Sequence, residues 1–477
     1  MQNFKLTELL EGLTHSEYKR FGDFIVSPFY NKNKKLIFLY EYFEKCLSNS
    51  ALKYIERNDI WNYLFPGEAY NDLKIRSILS DFKKLVEKFI VITGEEKKSL
   101  LQKNVLLSGL LERNLPKNFD SLSNEIIKTL KKEFNRNGDY YYNKLSLERT
   151  VLTQEGKNIE VNLDSKYFKL SDTIDYFFFA TKLELINSLL SRRYHVLGSI
   201  KLNIKFAEEI ISYIRKSVIE IKKDNPIIYS EYLIFMMMTS SGDDKYFFEL
   251  HDMVLKNIGK YNHSELEQVY YPLINYGFNK VAMGENEYLK NIYEIYSKFE
   301  KKGFYSEKII FQDIDFISII IIGLRLKKTP WVENFYSKYK AILRPENKDD
   351  TSNLALALIS FNKKDYDASI GLLSKVNYQN SYYYIKSKET LMQIYYEQQE
   401  YESLQSLIDA TKHYLKRHKG ILSIHYERYL TFMKIINMLL KAKLKDKDEA
   451  GILKHELKKH KNAVAREWLF EKVNELK

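Results

Sequence analysis

Seventeen glycines and seven prolines in 477 residues leave this chain with about 5% of the two residues that make tight turns, where roughly 12% is usual. Few turn formers mean long regular elements, which excludes collagen-like, linker-rich and multi-hairpin β architectures. A 45% hydrophobic content with 69 aromatic side chains excludes global disorder. What remains is a large, packed, all-α protein. The one cysteine, Cys46, can form neither an intramolecular disulfide nor a cysteine-based zinc cage, so a reducing compartment is the default. Met1 to Leu10 contains no unbroken apolar region of the kind a secretory signal needs. The longest nearly uncharged run, Phe316 to Leu324, is far short of the roughly 20 residues that cross a bilayer. The expectation is a cytoplasmic protein with no membrane partner.

Helix signals punctuate the whole chain. Thr14-His-Ser-Glu17 and Ser264-Glu-Leu-Glu267 have capping-box spacing. Asn225-Pro226 and Thr329-Pro330 place a capping residue before proline at a first helical position. Phe65-Pro-Gly67, Asn137-Gly-Asp139, Ser241-Gly-Asp243 and Lys302-Gly303 read as stops. These spacings predict on the order of twenty helices, most of about 12 to 20 residues. Ile309 to Leu326 is the hardest segment to assign, because Ile310, Ile317, Ile319, Ile320, Ile321 and Ile322 favour strands. Asp313, Asp315 and Ser318 break it without strict alternation, and a lone strand would lack a partner, so a buried helix is predicted.

One internal period emerges, at 35 residues. It pairs Leu356 with Leu391, Ile359 with Ile394, Phe361 with Tyr396, Asp365 with Glu400, Tyr366 with Tyr401, Asp367 with Glu402, Leu372 with Leu407 and Leu373 with Ile408. Of the eighteen positions compared, about four would agree in chemical class by chance, against these eight. Phe361-Asn-Lys-Lys-Asp-Tyr-Asp-Ala368 and Tyr396-Glu-Gln-Gln-Glu-Tyr-Glu-Ser403 resemble the hinge of a tetratricopeptide repeat. The likeness covers about 351 to 411, with fainter helix pairs at 229 to 258 and 264 to 302. Leu64 to Leu73 and Asp175 to Leu183 resemble segments of bacterial proteins of the same superhelical type.

The resemblance implies a right-handed superhelix of stacked antiparallel helix pairs, in which each pair buries one face and its neighbours extend a single core. It brings no activity with it. The carboxylate clamp of that family, a Lys and Asn set on first helices, is not reproduced, since Leu354, Leu358 and Glu389 stand at the corresponding places. The expected organisation is an N-terminal helical region 1–95, divergent helical repeats 96–345, the clearest repeat pair with a following helix 346–435, and a basic helical cap 436–477.

Catalytic motifs find little footing. There is no glycine-rich phosphate loop. His455 and His460 are five apart, as are His413 and His418, which separates each pair by about 140° on a helix and prevents chelation from one face. Asp313 and Asp315 form an acidic pair in an apolar run, with helix capping or hydrogen bonding as the simplest reading. Cys46 in the apolar segment Leu36 to Leu47 reads as a small buried hydrophobe. The triplets Tyr140–Tyr142, Phe177–Phe179 and Tyr382–Tyr384 span several helical faces and should each bridge two neighbouring helices, with Met236–Met238 in the core. No cofactor, metal or catalytic residue is expected.

Charge is uneven. Residues 412 to 466 hold fifteen Lys/Arg against five Asp/Glu, a balance of +10 out of +12 for the chain. Lys441, Lys443, Lys447, Lys454, Lys458, Lys459 and Lys461 are the candidate contacts to a polyanion, as point charges on phosphates. A solvated polar face on a terminal helix explains the same residues. Ile60 to Gly67, followed by Asp72 to Leu85, is similar to the helix, turn and longer helix of winged-helix transcription regulators. In that likeness Lys74, Arg76, Lys83 and Lys84 would face DNA. No β wing is evident after Thr93, and Leu100 to Leu111 reads as helix. Two functional expectations follow: a non-catalytic scaffold that binds a protein or peptide on a helical-repeat surface, and, as the alternative, a nucleic-acid-associated regulator.

Overall fold

The computed structural model describes residues 4–48, 55–96, 99–157, 162–196, 204–240, 243–261, 263–305, 312–377, 381–418, 423–445, 450–461 and 463–476. Among them are 24 α-helices and no β-strand, so the described residues form an all-helical fold, as the scarcity of turn formers predicted. Contacts divide it into two units, residues 1–132 with 142–170, and residues 133–141 with 171–477.

The first unit contains α1 (Phe4–Glu11), α2 (His15–Val26), α3 (Lys34–Ser48), α4 (Arg57–Leu64), α5 (Asp72–Glu96), α6 (Ser99–Glu112) and α7 (Pro116–Lys132). It also takes most of α8 (Gly138–Glu155) and the start of α9 (Asp164–Val196). The long α5 is its hub, with α1, α2, α3, α4 and α6 all packed on it. Apolar residues of α5 recur at Ile75, Ile78, Leu79, Phe82, Leu85, Val86 and Phe89 and are all buried, the three-to-four spacing of a single helical stripe. Phe82 meets the ring edge of Phe21 from α2 at 5.6 Å and tilts against Phe43 of α3 at 5.5 Å. Trp61 of α4 is buried with its indole N–H donated to the Glu68 carbonyl at 3.1 Å. The Thr14 capping box forms as expected: its hydroxyl accepts from the Glu17 N–H at 3.2 Å, and the Glu17 carboxylate accepts from the Thr14 N–H at 3.0 Å.

The second unit continues α9 from Ser171. It adds α10 (Ala207–Lys216), α11 (Val218–Asp224), α12 (Pro226–Thr239), α13 (Lys245–Asn257), α14 (His263–Ala282), α15 (Tyr288–Lys301), α16 (Asp313–Arg325) and α17 (Thr329–Tyr339). Then come α18 (Lys348–Asn362), α19 (Tyr366–Leu373), α20 (Ser381–Glu397), α21 (Tyr401–Arg417), α22 (Ser423–Lys445), α23 (Ala450–Lys459) and α24 (Arg466–Asn474). From α10 onward each helix packs on the next, and next-but-one contacts recur as α12 on α14, α13 on α15, α16 on α18 and α18 on α20. That is the neighbour pattern of stacked helical hairpins. The isoleucine-rich segment forms α16, with Phe316, Ile317, Ile319, Ile320 and Ile322 buried. Burial on several faces outweighs β propensity there.

The 35-residue period is written into the backbone. Lys364 and Gln399, 35 positions apart, adopt left-handed φ of 64° and 62°. Lys364 N–H donates to the Phe361 carbonyl and Asp365 N–H to the Ser360 carbonyl; Gln399 to Tyr396 and Glu400 to Tyr395 repeat both bonds one period later. This is the paired-bond ending in which a left-handed residue satisfies the last carbonyls of a helix. The same pair of bonds closes helices at Asn114, Gly284, Gly303 and Lys327. Four of these six paired-bond turns have Asn, Lys or Gln at the left-handed position, which is why a chain so poor in glycine still reverses direction often. In the first copy Asp365 caps α19 through Ala368 N–H at 3.2 Å, and the Ser369 hydroxyl donates to the Ala357 carbonyl at 2.9 Å where α18 and α19 approach.

Three local expectations are corrected. Asn225 precedes Pro226 at the start of α12, but its side chain caps nothing; Oδ1 instead accepts from the Tyr141 hydroxyl. Thr329 sits inside α17 and donates to Asn362 Oδ1 at 3.0 Å rather than capping. In both cases a tertiary partner outcompetes the local N–H. Asn137 opens a helix instead of ending one, its Oδ1 accepting from Tyr140 N–H at 3.0 Å. The side chain of Ser264 and residues 241–242 lie outside the described residues.

Candidate functional site

The most concentrated polar chemistry lies on α20. Between Ser381 and Glu397 no side chain of this helix is fully exposed, yet Tyr382, Lys386, Glu389, Gln393 and Glu397 recur at spacings of four, three, four and four. At 100° per residue they fall on one face, forming a polar seam along a helix enclosed by neighbours. Lys386 Nζ lies 2.7 Å from Glu389 Oε1. Tyr429 of α22 is hydrogen-bonded toward Glu389, and burial drives its phenol far above the ordinary value. Arg428, also on α22, is pulled below its ordinary value by burial, against the opposing pull of Tyr429 and Glu389. At the far end Glu397 accepts from the Trp468 indole at 2.7 Å and from Lys472 at 2.8 Å, tying α20 to α24. On the opposite face Lys388 stands 5.2 Å over the Tyr384 ring, with its pKa lowered by burial. Tyr384 in turn stacks on Tyr414 of α21 at 3.8 Å.

Leu354, Leu358 and Glu389, which the tetratricopeptide resemblance set at the places of a carboxylate clamp, are all buried. The triplet Tyr382–Tyr384 bridges two helices as expected, because Tyr383 bonds Thr351 of α18 at 2.8 Å while Tyr384 stacks on α21. Tyr141 likewise joins α9, through Tyr176 at 5.8 Å, to Asn225. Met236 and Met237 are core.

The N-terminal candidates are each held by an acid. Lys74 lies 3.4 Å from Glu68 and over the Phe65 ring, Arg76 2.7 Å from Asp72, Lys83 2.7 Å from Glu87 and Lys84 3.3 Å from Asp81. Any groove contact would compete with these pairs. The helix, turn and longer helix expected there are α4 and α5, followed by α6 without a strand among the described residues. The C-terminal candidates differ. Lys441 and Lys443 on α22, Lys454, Lys458 and Lys459 on α23, and Lys461 just beyond are exposed, and none has a carboxylate within 4.0 Å among the described residues. Lys447 lies outside those residues.

Asp313 and Asp315 take the simple reading. Asn347 donates to Asp313 at 2.8 Å, and the Tyr271 hydroxyl of α14 donates to Asp315 at 2.9 Å. Burial raises the Asp315 carboxyl to about 6, against the opposing effect of that phenol. His460 faces Glu456 at 3.5 Å, His455 is exposed, and His418 stacks on Tyr414. Cys46 is half-buried, its thiol pKa raised chiefly by burial. No cluster of three metal-ligating side chains occurs among the described residues, and no described helix is long and apolar enough to cross a membrane.

Two buried groups escaped the sequence reading. Glu231 in α12 is enclosed with its carboxylate 2.6 Å from Asn187 Nδ2 of α9, and burial raises it to about 7. A lone acid in the apolar run Ile227 to Met238 was the available signal. His251 is buried on α13 with Nε2 3.3 Å from the Asn291 carbonyl and Nδ1 3.3 Å from Asp252; nothing in its local sequence marks it. Comparison with family models, curated proteins and solved structures finds no match for the chain.

Proposed function

We propose that this protein is a non-catalytic scaffold of the tetratricopeptide type, its helix pairs continuing as a right-handed superhelix, and that it binds a protein or peptide segment on the half-exposed surface of its clearest repeat pair, α18 to α21. The observation that supports this most is the repeated hairpin, whose two copies share left-handed turns at Lys364 and Gln399 and the same two backbone bonds. The polar seam of α20 is internal to it: Glu389 and Gln393 are buried, and Glu389 and Glu397 are satisfied by α20, α22 and α24. A rigid stack of such hairpins presents its surface without an ordering cost on the protein side. The buried clamp positions argue that recognition is not capture of a C-terminal carboxylate.

The test is selection of peptides from a displayed library on the full-length chain, followed by titration against Asn353→Ala and Lys388→Ala, half-exposed positions one period apart on α18 and α20. Each substitution is expected to weaken binding about tenfold, the effect of one lost hydrogen bond to a charged or buried group. Selected peptides that bind both variants as well as the parent would remove that surface from the account.

The exposed Lys454, Lys458, Lys459 and Lys461 favour one second reading, contact with a nucleic-acid backbone. Titration with duplex DNA and with RNA at about 50 and 200 mM salt should then show an affinity loss of a hundredfold or more, as several phosphates release their counterions. No binding at the lower salt eliminates it.

A further inference from the structure

The long helix α9 shows solvent an apolar stripe that its own unit does not cover. Ile174, Phe178, Leu185 and Leu189 are 48, 37, 53 and 39% exposed. At 100° per residue they lie within about 60° of one another, along about 23 Å of helix. No charged residue interrupts that face from Leu170 to Ser191. Its centre holds Thr181, whose hydroxyl is bonded back to the Phe177 carbonyl at 2.8 Å. Phe206, before α10, meets the edge of Phe178 at 5.9 Å, and Tyr213 of α10 lies 5.1 Å from Phe179, both exposed. They widen the stripe into a patch. The opposite face of α9 is already packed, with Ala180, Leu183, Ile186 and Asn187 buried, so the stripe is not the helix's own core side.

The spacing of the four residues is four, seven, four, which reads the same in both directions. A two-fold axis between Thr181 and Lys182 would set Ile174 against Leu189 and Phe178 against Leu185. We propose that α9 is a self-association surface, on which two copies of this chain pair antiparallel about that axis. An isologous contact needs a patch complementary to itself under a half-turn, and this one has that symmetry in its sequence. The six side chains expose on the order of 500 Å² per copy, so pairing removes about 1,000 Å², the size at which specific interfaces begin. The charges that flank the stripe, Lys182 and Asp175 on one edge and Glu184 on the other, are of both signs, so the symmetry and area of the stripe, not its charge, point to a second copy as occupant. This proposal stands apart from the repeat-pair surface, and neither fails with the other.

Sedimentation of the full-length chain is expected to give twice 56.9 kDa at protein concentrations of about 10 to 100 μM, the range suited to an interface of this size. Phe178→Glu with Leu185→Glu, both at exposed positions, should return the monomer with unchanged circular dichroism. In a Cys46→Ser background, Lys182→Cys lies beside the axis and should be linked to its own copy by a short bismaleimide, whereas Lys454→Cys should not. A chain that stays monomeric throughout overturns the proposal, whatever else it binds. So does a dimer that survives the double substitution or fails to crosslink through position 182.

Discussion

Replacing Glu231 with glutamine should stabilise the protein, and by an amount that grows with pH. The carboxyl is enclosed by α12 and α9, with Asn187 donating to it at 2.6 Å and Glu184 adding a like charge nearby. Burial is the largest effect and raises the group from its ordinary 4.5 to about 7. A carboxyl whose folded pKa lies above its unfolded one gives its full stability below the unfolded value, and that stability is lost as pH rises through the folded one. The window is therefore pH 4.5 to 7. Across it the group changes the stability of its unit by about 3 kcal/mol, at 1.36 kcal/mol for each tenfold change in proton affinity. Glutamine keeps an oxygen for Asn187 and carries no charge. The variant should be about 3 kcal/mol more stable than the parent at pH 8 and within about 1 kcal/mol at pH 5. In thermal unfolding that is a rise of several degrees at pH 8, at roughly 2 °C per kcal/mol for a unit of this size. A glutamine variant equally destabilised at both pH values would refute the reasoning, since it would mean that the carboxylate is held by interactions stronger than its desolvation.

Other substitutions test the helical turns and their packing. Lys364→Gly and Gln399→Gly each remove a β-carbon from a left-handed position and should raise stability in urea by about 1 kcal/mol; the same change at Lys348, a helical residue, should lower it. A β-carbon on Gly323 would sit 2.3 Å from Val332 Cγ2. Gly323→Ala should therefore cost at least about 2 kcal/mol, and adding Val332→Ala should recover part of that loss if α16 against α17 is the site of strain. Thr14→Ala deletes the hydroxyl of the capping box and should lower the stability of the first unit by about 1 kcal/mol.

The fold class was legible because it depends on quantities that sequence records directly. Turn-former scarcity and three-to-four apolar spacing, as in α5, both survive without knowledge of partners. The period also showed, since Phe361 and Tyr396, or Tyr366 and Tyr401, occupy equivalent places in a hairpin whose backbone is the same twice. What was hidden is tertiary competition. Asn225 and Thr329 have the right identity and position to cap helices, and only the folded chain brings Tyr141 and Asn362 within reach of them. The left-handed turn positions at Lys327, Lys364 and Gln399 were invisible for a different reason, because lysine and glutamine, unlike glycine or asparagine, carry no signature of that conformation.

The candidate site was only half legible. A charge count found the exposed lysines of α22 and α23, and it found Lys74 and Arg76 equally, although Glu68 and Asp72 hold those two. The seam on α20 was missed because a helix enclosed on every side mixes Lys386, Glu389 and Gln393 with Ile385, Met392 and Ile394. Its pattern shows no clean amphipathic face. The α9 stripe was missed for the same reason, since apolar residues occupy both its core side and its solvent side.

Hydrogen exchange on the full-length chain, with and without a selected peptide, tests the proposed binding surface most directly. The account predicts slowed exchange in 348–362 and 381–397, the first helices of the repeat pair. Protection confined to 74–84 or 454–461, with α18 and α20 unchanged, would contradict it.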